Sequence, residues 1–235
     1  KMPCLVEDFV FKTTGSNPGL NFNAGQQIYA AHNSLFNEII WFYPDASSQF
    51  ANRMVVYNYQ EGTWTTGTLA RTSYTDKSVF DKPYATKFDE NQTPSFPVVN
   101  GITSSQGRTI YYEHETGVNE VDFSGNKTAI PAFIESGDFD LDAGGDGEIF
   151  IKIRRFIPDF KFLDGNAKIT LDLRDYPNDT ASSSPLGPFT ITSSTDKIDT
   201  RARARLAALK VENDSIDENW RLGLFRIDIQ PDGRR

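Results

Sequence analysis

The sequence predicts an all-β protein, and three observations carry that expectation. Short runs of β-branched and aromatic residues recur along the whole 235-residue chain. Clusters of Gly, Pro, Asn, Asp or Ser separate them, as in strands joined by turns. Aromatic residues make up 13% of the chain, with 18 Phe and 9 Tyr, and such side chains suit a pleated, half-buried surface.

In chain order, the expected strands cover residues 5–12, 27–31, 38–43, 53–59, 108–113, 119–123, 133–135, 148–158, 167–173, 188–191, 206–211 and 222–229. Period-two alternation is plain in Lys168-Ile169-Thr170-Leu171-Asp172-Leu173-Arg174 and in Leu224-Phe225-Arg226-Ile227-Asp228-Ile229. Such strands have one wet or interfacial face. Arg201-Ala202-Arg203-Ala204-Arg205 alternates as strictly. It reads as a strand with its arginines on one face, although its residues also have high helix propensity.

A boundary is expected near Ile130-Pro131. Residues 1–130 alternate strands with long polar loops such as 77–105, and residues 131–235 carry longer strands with tight turns such as Asp164-Gly165. Residues 178–188, with Ser182-Ser183-Ser184-Pro185, read as an exposed loop. One partial echo runs through Asn37–Tyr43, Arg53–Tyr59 and Gly62–Gly67: strand, loop, strand ending in Tyr-Asn, tight turn, Trp. A propeller blade repeats in this way, and Tyr111–Gly117 reads as the next blade's strand and turn. The expected architecture is a set of partial β-propeller-like blades followed by an antiparallel β-sandwich-like domain.

Net charge is −8. That sign argues against tight nucleic-acid binding by the chain as a whole and is silent on a duct that lets nucleic acid pass. The lone cysteine, Cys4, excludes an intrachain disulfide and fits a reducing compartment. No run approaches the roughly 18 apolar residues of a membrane-spanning helix, so no membrane insertion is expected. The start, Lys1-Met2-Pro3-Cys4, is not a signal peptide and does not begin with Met, which reads as a fragment, a processed product or part of a longer chain.

Catalytic constellations are sparse. The chain has two histidines. His32 lies in Ala31-His32-Asn33-Ser34 without a nucleophile elbow, and reads as structural or surface-lying. His114, between Glu113 and Glu115, could bind a metal or shuttle protons, but a hydrogen-bonded histidine at a strand end is the plainer reading. The segment from Asp138 through Asp140 and Asp142 to Glu148 begins like a calcium loop. Its Gly144 falls late and Ile149 stands where a bidentate Glu is needed. No metal, cofactor or enzymatic activity is expected, the rival being a glycosidase built on two of the 32 Asp and Glu. Arg201, Arg203 and Arg205 would stand about 7 Å apart along a strand. Their mutual repulsion calls for carboxylates, phosphates or carbonyls opposite. A salt-bridge ladder within or between subunits is the favoured reading, with a solvated face and a nucleic-acid contact as alternatives.

Several segments together resemble one family. Glu38-Ile39-Ile40-Trp41-Phe42-Tyr43-Pro44, then Val55-Val56-Tyr57-Asn58-Tyr59, then Gly62–Thr72 with Trp64 and Arg71, is similar to a run found in tail nozzle, or tail hub, proteins of short-tailed bacteriophages. Tyr112–Gly117, the Arg-x-Arg-x-Arg segment, Asn219-Trp220-Arg221-Leu222-Gly223 and Arg226–Arg235 extend the resemblance, with Phe156–Phe160 and Tyr176-Pro177-Asn178 as landmarks between. It covers most of residues 37–123 and 150–235. What it implies is a virion structural protein, made in the host cytoplasm. It would form a ring, usually of six subunits, that meets the tail adaptor and other tail proteins and lines the channel through which DNA leaves without sequence-specific binding. The arginine row and Asp138, Asp140 and Asp142 are then candidate halves of the contact that closes the ring, since ring closure needs two different complementary patches per subunit. A carbohydrate- or receptor-binding module of a tail or cell surface is the alternative, with Trp41, Trp64 and Trp220 as stacking candidates.

Overall fold

The structure, a computed structural model, describes residues 6–15, 17–89, 108–122, 124–141, 149–176, 179 and 185–234. Cys4, Asp142 and most of the 178–188 loop lie outside them. The described residues are dominated by antiparallel strands, and no sheet closes on itself among them. The chain divides into two compact units, residues 1–116 and 117–235.

The first unit opens with a five-residue helix, α1 (Glu7–Phe11), where the sequence reads as strand. Glu7 and Asp8 favour the positive end of a helix, and Asp8 pairs with Lys12 one turn on, at 2.8 Å. A 3₁₀ turn follows over Phe22–Gln27, its start held by Asn21, whose Oδ1 accepts from the Asn23 amide. Then come β1 (Tyr29–Asn33), β2 (Glu38–Tyr43), β3 (Arg53–Asn58) and β4 (Thr63–Thr68), an antiparallel meander in sequence order. The β3–β4 turn shows how local chemistry fixes this register. The Asn58 side chain accepts from the amides of Gln60 and Glu61, and Gly62 takes a φ of 71° that favours glycine.

A second meander, β5 (Ser73–Thr75), β6 (Tyr84–Asp89) and β7 (Arg108–Glu113), follows. Strand β6 lies inside the stretch that the sequence reads as loop. Tyr84 and Phe88 mark it in retrospect, and buried Ala85 sits opposite Tyr74 and Tyr112. The small core of this unit holds Ile40, Phe42, Ala51 and Val56, with Tyr29, Met54 and Tyr74 against it. Alternation turns Trp41, Tyr57 and Trp64 to the other face of β1–β4. There Trp64 lies 5.9 Å from Trp41 and 4.7 Å from Tyr57, centroid to centroid.

The second unit begins with a hairpin, β8 (Asn119–Val121) and β9 (Lys127–Ala129), and continues through β10 (Ala132–Glu135), β11 (Ile149–Ile157), β12 (Phe160–Asp164), β13 (Ala167–Arg174) and β14 (Leu186–Ile191). It ends with β15 (Ile198–Ala204), β16 (Leu206–Asn213), β17 (Asn219–Leu222) and β18 (Arg226–Arg234). Two sheets, ordered β10-β16-β13-β14 and β15-β11-β18, feed one apolar cluster. Ile151, Ile153, Phe156 and Ala202 come from one sheet, and Ile169, Leu171, Ile191 and Val211 from the other. The strand expected over 222–229 is two strands. Gly223 breaks it, donating to the Asp159 carbonyl at 2.7 Å, and a Cβ there would lie 2.6 Å from that oxygen. Strand β17 then pairs with β12, and β18 with β11.

Candidate assembly surface

Strand β15 resolves the ambiguity of the arginine segment. Ala202 and Ala204 are buried while Arg201 and Arg203 are exposed, as alternation on a strand requires. Arg205 follows the strand end and is half-buried. The central strand β11 offers Phe150, Lys152 and Arg154 to the same outer face, with Ile151 opposite Ala204 and Ile153 opposite Ala202 on the buried side. Register shifts on both neighbours between Ile153 and Arg155, the signature of a bulge, which re-aims side chains. It turns Arg154 and Arg155 outward in succession before Phe156 returns to the core.

The arginines find different partners. Arg203 reaches past Lys152 to Asp232, Nε to Oδ2 at 2.6 Å, with its guanidinium 3.9 Å above the Phe150 ring. Arg205 lies 4.8 Å from Phe150 and 5.2 Å from Tyr176. The two guanidiniums thus cover an aromatic ring on an otherwise charged face, which accounts for Phe150 being 8% exposed. Arg201 has no acidic partner among the described residues. Asp138 accepts from Arg174 at 2.8 Å, Asp140 follows the Phe139–Ala207 bridge, and Asp142 is outside the described residues. Arg203, Arg205 and Asp138 therefore have ion-pair or ring partners inside the unit, and Arg201 is the member of the row that faces solvent without an acidic partner among the described residues.

The first unit holds both histidines, His114 hydrogen-bonded just past a strand end and His32 on the surface. His114 follows the end of β7, and its Nε2 accepts from Arg71 Nε at 2.8 Å. Arg71 is 5% exposed and also donates to its neighbour's carbonyl at Ala70. Burial and the adjacent guanidinium push the His114 pKa down to about 4. His32 is the outward histidine, 3.0 Å from Asp76 through Nδ1. Buried Asn33 donates to both Glu38 and Glu115, at 3.5 and 3.3 Å, and burial together with Glu115 raises the Glu38 pKa. Burial pushes the Asp45 carboxyl up, but hydrogen bonds from Ser47, Asn52 and Arg53 outweigh it and hold the group below the ordinary range. Among the described residues no three His, Cys, Asp or Glu cluster as metal ligands, and no helix is long and apolar enough to cross a membrane. Trp220 is a structural tryptophan: its Nε1 donates to buried Asn213 at 3.0 Å and its ring meets Phe160 edge-on.

No protein-family model matches the chain, and no curated protein matches it.

Proposed function

We infer that the chain is a structural subunit of a ring-shaped assembly of the phage tail-nozzle kind, lining a DNA exit channel below the adaptor. The observation that carries this reading is the β1–β4 meander with apolar side chains on both faces. Ile40, Phe42 and Val56 line one face and Trp41, Tyr57 and Trp64 the other. A sheet facing water on one side needs apolar residues on one face only. A propeller blade has a neighbouring sheet on each face, and β5–β7 supplies the start of a second meander. The second unit, two sheets over one core, fits the sandwich-like part of the same reading. Antiparallel sheets with buried cores suit a wall, and assembly rather than chemistry is the role such a wall performs.

A mass measurement on undissociated material tests this. The reading expects a closed oligomer of about six or twelve chains. A monomer at every concentration overturns it.

A further inference from the structure

The outer face of the β15-β11-β18 sheet carries more positive charge than the described residues of its unit neutralise, although the chain has 32 Asp and Glu against 24 Lys and Arg. Lys152 stands directly opposite Arg203. The register passes from Ile153↔Ala202 to Arg155↔Asp199, which sets Arg154 against Thr200 and Arg201. Like charges opposite one another on a sheet are destabilising. Among the described residues, the three carboxylates paired on this sheet are already engaged. Asp232 takes Arg203 at 2.6 Å, Asp228 takes Arg155 at 3.6 Å, and Asp199 is held by Lys197 at 2.9 Å with Arg155 at 3.9 Å. Lys152, Arg154 and Arg201 are exposed and have no acidic partner among the described residues.

We propose that this face binds the phosphate backbone of nucleic acid without regard to sequence, through Lys152, Arg154 and Arg201. A protein partner would want an apolar, charge-depleted centre. From Phe150 to Arg155 this face exposes no apolar side chain, because Phe150 is covered by Arg203 and Arg205. Guanidinium forks match phosphate oxygens, and cations on adjacent strands give a polyanion a continuous track. The acidic remainder of the chain keeps the contact weak and reversible, so that a strand can pass over it. The inference does not rest on ring formation: it concerns one face of one unit.

The test is fluorescence anisotropy of the full chain with labelled single-stranded and duplex DNA of unrelated sequences, over a salt series. The triple variant Lys152→Gln, Arg154→Gln, Arg201→Gln is compared with a control, Lys127→Gln, Lys161→Gln, Arg221→Gln, which removes equal charge from other strands. Circular dichroism and thermal melting establish that both variants fold. The expected result is salt-sensitive binding alike for the two unrelated sequences. It weakens about tenfold or more in the triple variant, with the slope of log K against log salt reduced by roughly 0.7–0.9 per lost contact. The control should stay within about twofold of the parent chain. Absence of binding at low salt overturns the proposal. So does equal weakening in both variants, or loss of self-association in the triple variant with DNA binding unchanged, which would assign the face to a protein partner.

Discussion

The two units are stabilised by different means. Among the described residues, those of 117–235 gather ten buried apolar side chains into one cluster fed by two sheets, whereas those of 1–116 gather four. The first unit leans more on buried polar groups: Asn33, Asp45 and Arg71, at 2, 3 and 5% exposure, are each tied by hydrogen bonds, while the second unit buries Asn213 and Glu218. Apolar burial is indifferent to pH and fails through cavities. A buried polar group stabilises only while its partner keeps the right protonation state. The second unit should therefore be sensitive to lost volume, and the first to lost partners and to acid.

The largest effect should come from Phe156, fully buried and within 5.6 Å of both the Phe189 and Phe225 rings. Phe156→Ala should cost about 3–5 kcal/mol, read as a lower urea midpoint and faster amide exchange confined to 117–235. Slow exchange throughout that unit in the variant would show that its core is not organised around β11. Next is Asp45→Ala, which leaves the Arg53 guanidinium, the Ser47 hydroxyl and the Ser47 backbone amide without their acceptor. About 2 kcal/mol should be lost, with faster exchange confined to 1–116. The Asp45 carboxyl lies below its unfolded pKa, so its contribution is present above the ordinary carboxylate range and fades as pH falls through the folded value.

Legibility in the sequence depended on local pattern rather than on the unit. Where alternation was strict, as in Lys168–Arg174, strand and buried face could both be read, because period two leaves a core-facing sheet few choices; in Arg201–Ala204 the same alternation favoured a strand but left a helix open. The meander β2–β3–β4 was legible from its turn residues. The helix at Glu7–Phe11 was not, since Phe9, Val10 and Phe11 have strong β propensity and the acidic residues ahead of them decided the matter locally. Strand β6 was hidden by Lys87 and by the charged run before it. The break at Gly223 depends on a close approach to Asp159, some sixty residues away in the chain. Within the candidate surface, the arginine alternation announced an exposed face. It could not announce that Arg203 and Arg205 cover Phe150, nor that Lys152 and Arg154 stand beside Arg201, because strand order is not written in either segment alone.

An effect no larger, and the sharpest probe of the contrast, is the acid response of His114. Its Nε2 accepts from Arg71, so the ring is neutral with its proton on Nδ1, and protonation would set two cations face to face. The folded pKa of about 4 lies below the ordinary 6.5, so as pH falls below 6.5 the unfolded chain takes up a proton that the folded unit refuses. Stability of the first unit should fall from pH 6.5 to about 4 and level off below, by about 2 kcal/mol once the partial exposure of the ring is allowed for. Glu38 works in the opposite sense, because burial and Glu115 raise its pKa and acid relieves it. The raw pH profile therefore mixes the two, and the difference between parent and His114→Gln isolates the histidine. Glutamine offers Arg71 an amide oxygen but nothing to titrate, so urea midpoints of the variant should lack the histidine component between pH 4 and 6.5. An identical profile for both proteins would mean that the Arg71–His114 bond does not couple to folding, and the first unit's acid sensitivity would then have to come from its carboxylates.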